Sequence, residues 1–215
     1  MNKIRVIRVI RVIRVIRVKK KHSMNIQELN DLIKKRRAIF PKTYIAGKEI
    51  PQDIIQQVLE NANYAPTHKF TEPWRFRVLR GAALPKLADY LVADYRKLTP
   101  IEEQMAMKIK KITENPTRSG CVILILMKRH GDILPEWEEI AAVSMAVQNM
   151  WLTCTAYDIG SYWSSPSAIT ERGNDFLGLA DDERCLGLFY MGYHNMPDLP
   201  AQRQPIAEKV EWVNG

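Results

Sequence analysis

The connection from Ala65 to Phe76 carries the residues best suited to chemistry, in the order Ala-Pro-Thr-His-Lys-Phe-Thr-Glu-Pro-Trp-Arg-Phe. An apolar pattern of helical period precedes it and an alternating run follows it, so the sequence predicts a loop between a helix and a strand. A histidine, two prolines and a tryptophan at close quarters are typical of a loop that holds a ligand. His68 is the candidate contact, although a lone histidine is more commonly a hydrogen-bonded structural residue. Trp74 and Phe76 are predicted to begin a core strand.

A second candidate is the pair Arg36 and Arg37, which follows Lys34 and Lys35 at the end of a predicted helix. Cations at a helix C-terminus interact favourably with the helix dipole, which is the simpler interpretation. Two adjacent guanidinium groups leaving a helix could equally pair with the oxygens of a phosphate. The residue types alone favour the first interpretation and leave the second open.

Other kinds of site have little support in the sequence. The histidines outside the loop are scattered without metal-ligand spacing, and there is no Gly-rich phosphate fingerprint of the dinucleotide-binding fold. The three cysteines lie far apart inside apolar runs, and their odd number argues against a disulfide framework. We therefore expect buried, reduced thiols in a cytoplasmic protein. These cysteines are Cys121, Cys154 and Cys185.

The length of the chain suits a single domain, and hydrophobic periodicity predicts helices interspersed with four or five strands, hence a mixed sheet with helices packed on it. Asn115-Pro116 is expected to break the fourth helix and Gly160 to cap the fifth, whose acidic residues and internal amides favour a buried helix over a membrane span. Helices are predicted near residues 25–37, 51–64, 84–95, 101–112, 137–157 and 168–177. Strands are predicted near residues 74–80, 121–127, 161–166 and 186–192.

Residues 1–23 differ in composition from the rest of the chain. They hold nine of the 32 basic residues and no acidic residue, so they account for the net charge of +8 and the remainder is close to neutral. Their five copies of Ile-Arg-Val have a period of three, which suits neither a helix nor a strand. We expect a disordered, low-complexity extension, with a basic arm for nucleic acid or an anionic membrane surface as the alternative. An arginine at every third position excludes a membrane span.

Five motifs together resemble the FMN-dependent nitroreductases of the small single-domain type, and the resemblance covers residues 24–215. Arg-Arg-Ala is similar to the family's Arg-Arg-Ser, and the loop described above is similar to an Ala-Pro block that runs into Gln-Pro-Trp-x-Phe. A strand from Gly160, a Gly-x-x-x-x-Gly strand and a C-terminal Arg-x-Pro complete the series. The motifs are Arg36 to Ala38, Ala65 to Phe76, Gly160 to Ser165, Gly187 to Gly192 and Arg203 to Pro205.

The resemblance implies an α+β fold with a mixed, mainly antiparallel sheet flanked by helices. It also implies an intertwined homodimer with two FMN sites at the subunit interface. In such a site arginines bind the flavin phosphate and ribityl chain, while backbone and hydroxyl groups of the strand from Gly160 to Ser165 lie beside the ring. Tyr64 and His68, one helical turn apart, are expected to reach the flavin from the opposite subunit. The implied cofactor-binding residues are Arg36, Arg37, Ala38, Tyr64, His68, Trp163, Ser164, Ser165 and Arg203.

The implied activity is the reduction of a nitroaromatic, a quinone or a similar small electron acceptor. NADH or NADPH passes a hydride to FMN and leaves before the acceptor binds, so no side chain need act as acid or base. No nucleic-acid partner is expected. Two departures from the family pattern are Ala38, which lacks the hydroxyl of the usual Ser, and Glu72, which lacks the amide of the usual Gln. A flavin-binding store or redox sensor with little turnover is the alternative function.

Overall fold

The computed structural model describes residues 25–198 and 201–214. The basic extension and the question of its role therefore lie outside the described residues. The described chain contains seven α-helices and four strands. The helices are α1 (Ile26–Lys35), α2 (Gln52–Asn63), α3 (Ala83–Leu98), α4 (Ala106–Thr117), α5 (Glu136–Ala156), α6 (Ser167–Thr170) and α7 (Asn174–Leu177). The strands are β1 (Trp74–Leu79), β2 (Cys121–Lys128), β3 (Ile159–Ser164) and β4 (Glu183–Tyr193).

The four strands form one sheet in the order β1-β2-β4-β3. All three pairings are antiparallel, so the α+β fold and the mainly antiparallel sheet are confirmed, while no parallel pair occurs among the described strands. Strand β2 is buried from Cys121 to Met127 because helices cover both faces of the sheet. Its seven consecutive apolar residues are what such a position requires.

Two apolar cores lie on opposite faces of the sheet. On one face α2 and α5 pack against alternate residues of β2, and Ile123, Met150 and Phe189 lie in this core. On the other face α3 and the short helix α6 cover the remaining residues, with Leu124 and Leu188 in that core. This alternation assigns each strand residue to one face, which decides where the side chains of β3 point.

Helix α1 begins where the sequence predicts, because the side chain of Asn25 accepts a hydrogen bond from the backbone N–H of Gln27 at 3.0 Å. None of its residues is buried in the single chain. Ile26 and Ile33 on its apolar face are 67% and 48% exposed. An amphipathic helix gains most of its stability from packing, so this face needs a covering surface.

Two predicted helix ends are wrong. Helix α5 ends at Ala156 with Tyr157 as its cap, and Gly160 lies inside β3. A glycine is required there because a Cβ atom would lie 2.8 Å from side-chain atoms of both Ile39 and His194. Helix α4 continues through Pro116 to Thr117. A proline in the last turn forfeits one backbone hydrogen bond, and the ring of Pro116 is buried there.

The other differences are smaller. The single helix predicted over residues 168–177 is two short helices, α6 and α7. The residues before α4 form a separate 3-10 turn, Ile101–Glu103. No helix within the described ranges combines the length and apolar character needed to cross a bilayer.

Candidate functional site

The segment after α1 is held against α5 by one tryptophan. Arg36 caps the helix through its backbone N–H, and its guanidinium carbon lies 4.8 Å from the centre of the Trp151 ring. The indole N–H of Trp151 donates a hydrogen bond to the carbonyl of Arg37 at 3.1 Å. The ring therefore stacks on one arginine and fixes the backbone of the next.

Three arginines meet at this place. Burial lowers the pKa of Arg36, and the positive charges of Arg203 and Arg37 lower it further. Arg203 comes from the C-terminal segment, more than 160 residues away in sequence. Among the ion pairs of the described residues, none within 4.0 Å involves any of these guanidinium groups. Like charges brought together without a counter-ion favour the binding of an anion.

The three arginines line a groove of about 1050 Å³ between α1, the end of α5 and the C-terminal segment. Acidic residues also lie on its wall, and Lys35 is shared between two of them. Its ammonium group lies 2.7 Å from Asp158 and 3.7 Å from Asp198. The hydrogen bond to Asp158 raises the pKa of Lys35, so these carboxylates are engaged and the guanidinium groups remain available.

Ala38 lies on the extended segment that runs beside the edge strand β3. The next residue, Ile39, donates its backbone N–H to the carbonyl of Ser161 at 3.0 Å. Ala38 is half-buried and has no side-chain polar group to offer a ligand. Any contact it makes with a bound molecule goes through its backbone.

The residues predicted on β3 point in different directions. The indole N–H of Trp163 donates to the carbonyl of Leu186 at 3.1 Å, and the ring covers Gly187, where a Cβ atom would lie 2.5 Å from the indole nitrogen. Ser164 lies on the opposite face, beside a cavity toward α4. Ser165 is exposed just after the strand. The Ser164 hydroxyl is therefore not on the side of Trp163.

His68 lies apart from the arginines in the same chain. Its Nδ1 is 2.6 Å from an oxygen of Glu138, in the first turn of α5. Glu138 precedes Trp151 by 13 residues of that helix, which is about 20 Å at the rise of an α-helix. One chain does not bring His68 to the groove that holds Arg36.

The loop that contains His68 has an unusual backbone. Lys69, Phe70 and Glu72 have φ values of +50°, +54° and +42°, a conformation that costs free energy for residues other than glycine. The hydroxyl of Thr67 stabilises the loop by accepting the N–H of Glu72 at 3.1 Å. Phe70 is 91% exposed at its tip. Sequence reasoning overlooked this residue, although an aromatic side chain between polar loop residues was a usable signal.

Tyr64 follows the last residue of α2 and is 86% exposed. It lines a second groove of about 560 Å³, which shares Leu32 and Ala156 with the arginine groove. His68 is not one helical turn beyond it, because α2 ends at Asn63 and Pro66 follows. The structure therefore places Tyr64 in a groove that adjoins the arginine groove, and His68 away from both.

The predicted burial of the three free cysteines is confirmed. Burial raises the pKa of Cys121 to about 12 and that of Cys185 to about 11, and it raises the pKa of Cys154 further. Such thiols stay protonated at neutral pH and are poor nucleophiles. No cluster of three or more potential metal ligands occurs among residues 25–198 and 201–214.

Comparison with known proteins identifies the family. The family model described as "Nitroreductase family" matches residues 33–193. The Bacillus subtilis protein named "Putative NAD(P)H nitroreductase YfhC" is 27% identical over 183 residues, covering 84% of this chain and 92% of its own length. The crystal structure of a nitroreductase-like family protein from Bacillus cereus is 25% identical, with a TM-score of 0.74, and covers 87% of this chain and 96% of that one.

A third relative has a described cofactor. The FMN-dependent nitroreductase NfnB from Mycobacterium smegmatis, whose structure is a complex with NADPH, is 19% identical with a TM-score of 0.70. The match covers 88% of this chain and 99% of that one. At this identity it supports the fold alone. The family model spans most of the described residues in chain order, and the chain therefore belongs to the nitroreductase family.

Proposed function

We propose that the protein is an FMN-dependent NAD(P)H oxidoreductase that reduces nitroaromatics, quinones or similar acceptors. The observation that carries the proposal is the meeting of Arg36, Arg37 and Arg203 in one groove without a paired carboxylate among the described residues. A phosphate group suits three guanidinium forks, which donate to its oxygens and offset their mutual repulsion. The family and its relatives make FMN the phosphate-bearing molecule of choice.

The residues around the groove fit the parts of FMN. The arginines would hold the phosphate, and Ala38 would contribute backbone only. The backbone from Trp163 to Ser165 would meet the ring edge, since the Ser164 side chain faces the other way. Bound FMN would supply the redox chemistry by accepting a hydride from NADH or NADPH and delivering electrons to the acceptor. The protein's own task is to bind and orient, which needs no acid–base pair.

The site is proposed to be completed by a second copy of the chain, in a homodimer with two FMN sites. The separation of His68 from the arginine groove supports this, because a partner subunit could bring its own His68 to that groove. Exposed apolar residues also support it: Ile26 of α1, Trp137 of α5 and Trp212 of the C-terminal segment are 67%, 68% and 84% exposed. Burial of such large apolar side chains against a second copy would remove them from water.

The test has two stages. The full-length protein is purified and titrated with FMN while the quenching of flavin fluorescence is followed; saturable binding is expected. The complex is then mixed anaerobically with NADH or NADPH, and loss of the yellow colour is expected, followed by its return on adding a nitroaromatic or a quinone. Failure to bind FMN would refute the proposal.

A flavin store or redox sensor with little turnover is the second candidate. Ala38, which lacks the hydroxyl of the usual Ser, is compatible with this function. The same experiment separates the two functions. Tight FMN binding without bleaching by either nicotinamide would establish the store or sensor and exclude the reductase.

A further inference from the structure

One lysine joins three segments beside the arginine groove. The ammonium group of Lys35, the last residue of α1, lies 2.7 Å from Asp158 and 3.7 Å from Asp198. Asp158 lies in the turn between α5 and β3, and Asp198 lies at the start of the C-terminal segment, after β4. These three residues, here called the lysine clasp, connect parts of the chain that are distant in sequence.

The turn between α5 and β3 provides a fixed side of the clasp. Asp158 has a φ of +52°, in the left-handed region that aspartate adopts more readily than most residues other than glycine. Its backbone N–H donates to the carbonyl of Thr155 at 3.2 Å, which closes the turn. The carboxylate of Asp158 accepts the hydrogen bond from Lys35, so the ammonium group is held in place for a second carboxylate.

The C-terminal segment has few other restraints. Residues 201–214 are exposed throughout. Within the part of the chain that the structure describes, every hydrogen bond of these residues stays inside the segment. Asp198 precedes Arg203 by five residues. Among the described residues, its ion pair with Lys35 is therefore the polar contact closest in sequence to Arg203 that links the segment to the rest of the chain.

Arg203 needs such a restraint because it joins like charges. Its positive charge lowers the pKa of Arg36, so the two guanidinium groups lie close enough to repel each other. Before an anion binds, this repulsion favours movement of the segment away from the groove. The clasp opposes that movement by holding the start of the segment. A phosphate group then meets Arg203 already in place, and binding requires less ordering of the chain.

We propose that Lys35 and Asp198 are positioning residues, which hold Arg203 at the groove for the phosphate of the ligand. Lys35 acts through Asp198, and Asp198 acts through Arg203. This inference rests on the proposed function, in which the ligand is FMN. Its distinguishing consequence is the sign of one effect. Asp198 is a negative charge on the wall of an anion site, so electrostatics alone predicts tighter FMN binding without it, whereas the clasp predicts weaker binding.

Fluorescence titration of the full-length protein with FMN compares Asp198→Asn with Glu28→Gln. Glu28 lines the same groove and has no ion pair within 4.0 Å among the described residues, so it is the matched control for the loss of one negative charge. Asp198→Asn is expected to weaken binding about three- to fivefold, and Glu28→Gln to leave it equal or tighter. In an Arg203→Ala background, Asp198→Asn should have no further effect. Undiminished binding by Asp198→Asn, or the same loss in that background, would overturn the inference.

Trypsin cleavage of the full-length protein without FMN tests the clasp independently of the flavin. Trypsin can cut after Arg203, and mass spectrometry measures the release of the peptide that begins at Gln204. Asp198→Asn is expected to speed this release about threefold, and Glu28→Gln to leave it unchanged. Unchanged release in Asp198→Asn would overturn the clasp even if FMN binds. Failure of the natural sequence to bind FMN refutes the proposed function instead, and the release of the peptide still decides whether the clasp exists.

Discussion

His68 and Glu138 form a contact of 2.6 Å that ties the loop after α2 to the first turn of α5. The imidazole Nδ1 faces the carboxylate, so the Nε2 edge is the one left for another molecule. The contact is on the surface, with the histidine side chain 57% exposed. The contact holds the imidazole at the N-terminal end of α5, whereas the arginine groove lies at the C-terminal end of the same helix. In the proposed dimer, this histidine would contact the arginine groove of the second subunit.

Replacing His68 with alanine is expected to weaken FMN binding about tenfold without unfolding the chain. The contact with Glu138 that it breaks is on the surface and contributes about 1 kcal/mol or less to stability. Flavin titration and urea unfolding of the same variant measure the two quantities. Unchanged flavin affinity would remove His68 from the site.

Trp74→Ala provides the contrast for that variant. Trp74 is 5% exposed, and its indole N–H donates to Asn63 at 3.0 Å. Loss of this side chain should lower the free energy of unfolding by about 3–5 kcal/mol. Equal destabilisation by the two substitutions would contradict the division of the loop into a binding part and a core part.

Arg36→Ala is expected to reduce FMN affinity about 10- to 100-fold, because it removes a charge-assisted contact to the phosphate. The affinity of the unchanged protein should also fall with rising salt. Arg96→Ala, a basic residue in the last turn of α3, serves as the control and should bind FMN normally. If the two variants behave alike, the effect is one of net charge and not of the groove.

Ala38→Ser tests what the missing hydroxyl costs. The side chain is half-buried beside β3, and a hydroxyl there would add one donor close to the arginines. We expect FMN to bind up to about tenfold more tightly, the value of one hydrogen bond. Weaker binding would mean that the backbone at this position contacts the flavin too closely to admit an oxygen.

The pair Asp94 and Arg172 predicts a dependence of stability on pH. The hydrogen bond from Arg172 lowers the pKa of Asp94 below its ordinary value. A lowered carboxyl pKa in the folded state means that the pair stabilises the protein above the ordinary pKa. That contribution is lost as the pH falls through the lowered pKa of Asp94.

Urea unfolding at neutral and acid pH, with Asp94→Asn as the comparison, measures this dependence. The variant should be less stable than the natural sequence at neutral pH, and the difference should shrink in acid. A difference that stays constant as the pH falls would show that the carboxylate charge does not contribute.

Strong local patterns predicted most of the fold. The seven apolar residues of β2 predict a buried strand, and the long apolar run of α5 predicts a buried helix. Gly160 is predicted to cap α5 but lies in β3. The cause is tertiary, because glycine is needed there to make room for Ile39 and His194, which are distant in sequence. The helix break predicted at Asn115-Pro116 is wrong for a similar reason: the helix continues through Pro116, whose ring is buried in the folded chain.

The candidate site was predictable only in part. The adjacency of Arg36 and Arg37 marks them as a candidate phosphate site in the sequence. Their proximity to Arg203 could not be predicted, because it depends on the path of the C-terminal segment. The opposite directions of Trp163 and Ser164 follow from strand alternation once β3 is placed in the sheet. The positive φ values around Phe70 have no local sequence signal, since no glycine marks them.

Anaerobic reduction of the FMN-loaded protein tests the central claim most directly. Absorbance of the bound flavin is followed after NADH or NADPH is added, and then after a nitroaromatic or a quinone is added in the absence of free nicotinamide. We predict bleaching by at least one nicotinamide and full recovery of the yellow colour with the acceptor. A protein that takes up no FMN, or whose bound FMN is bleached by neither nicotinamide, would contradict the account.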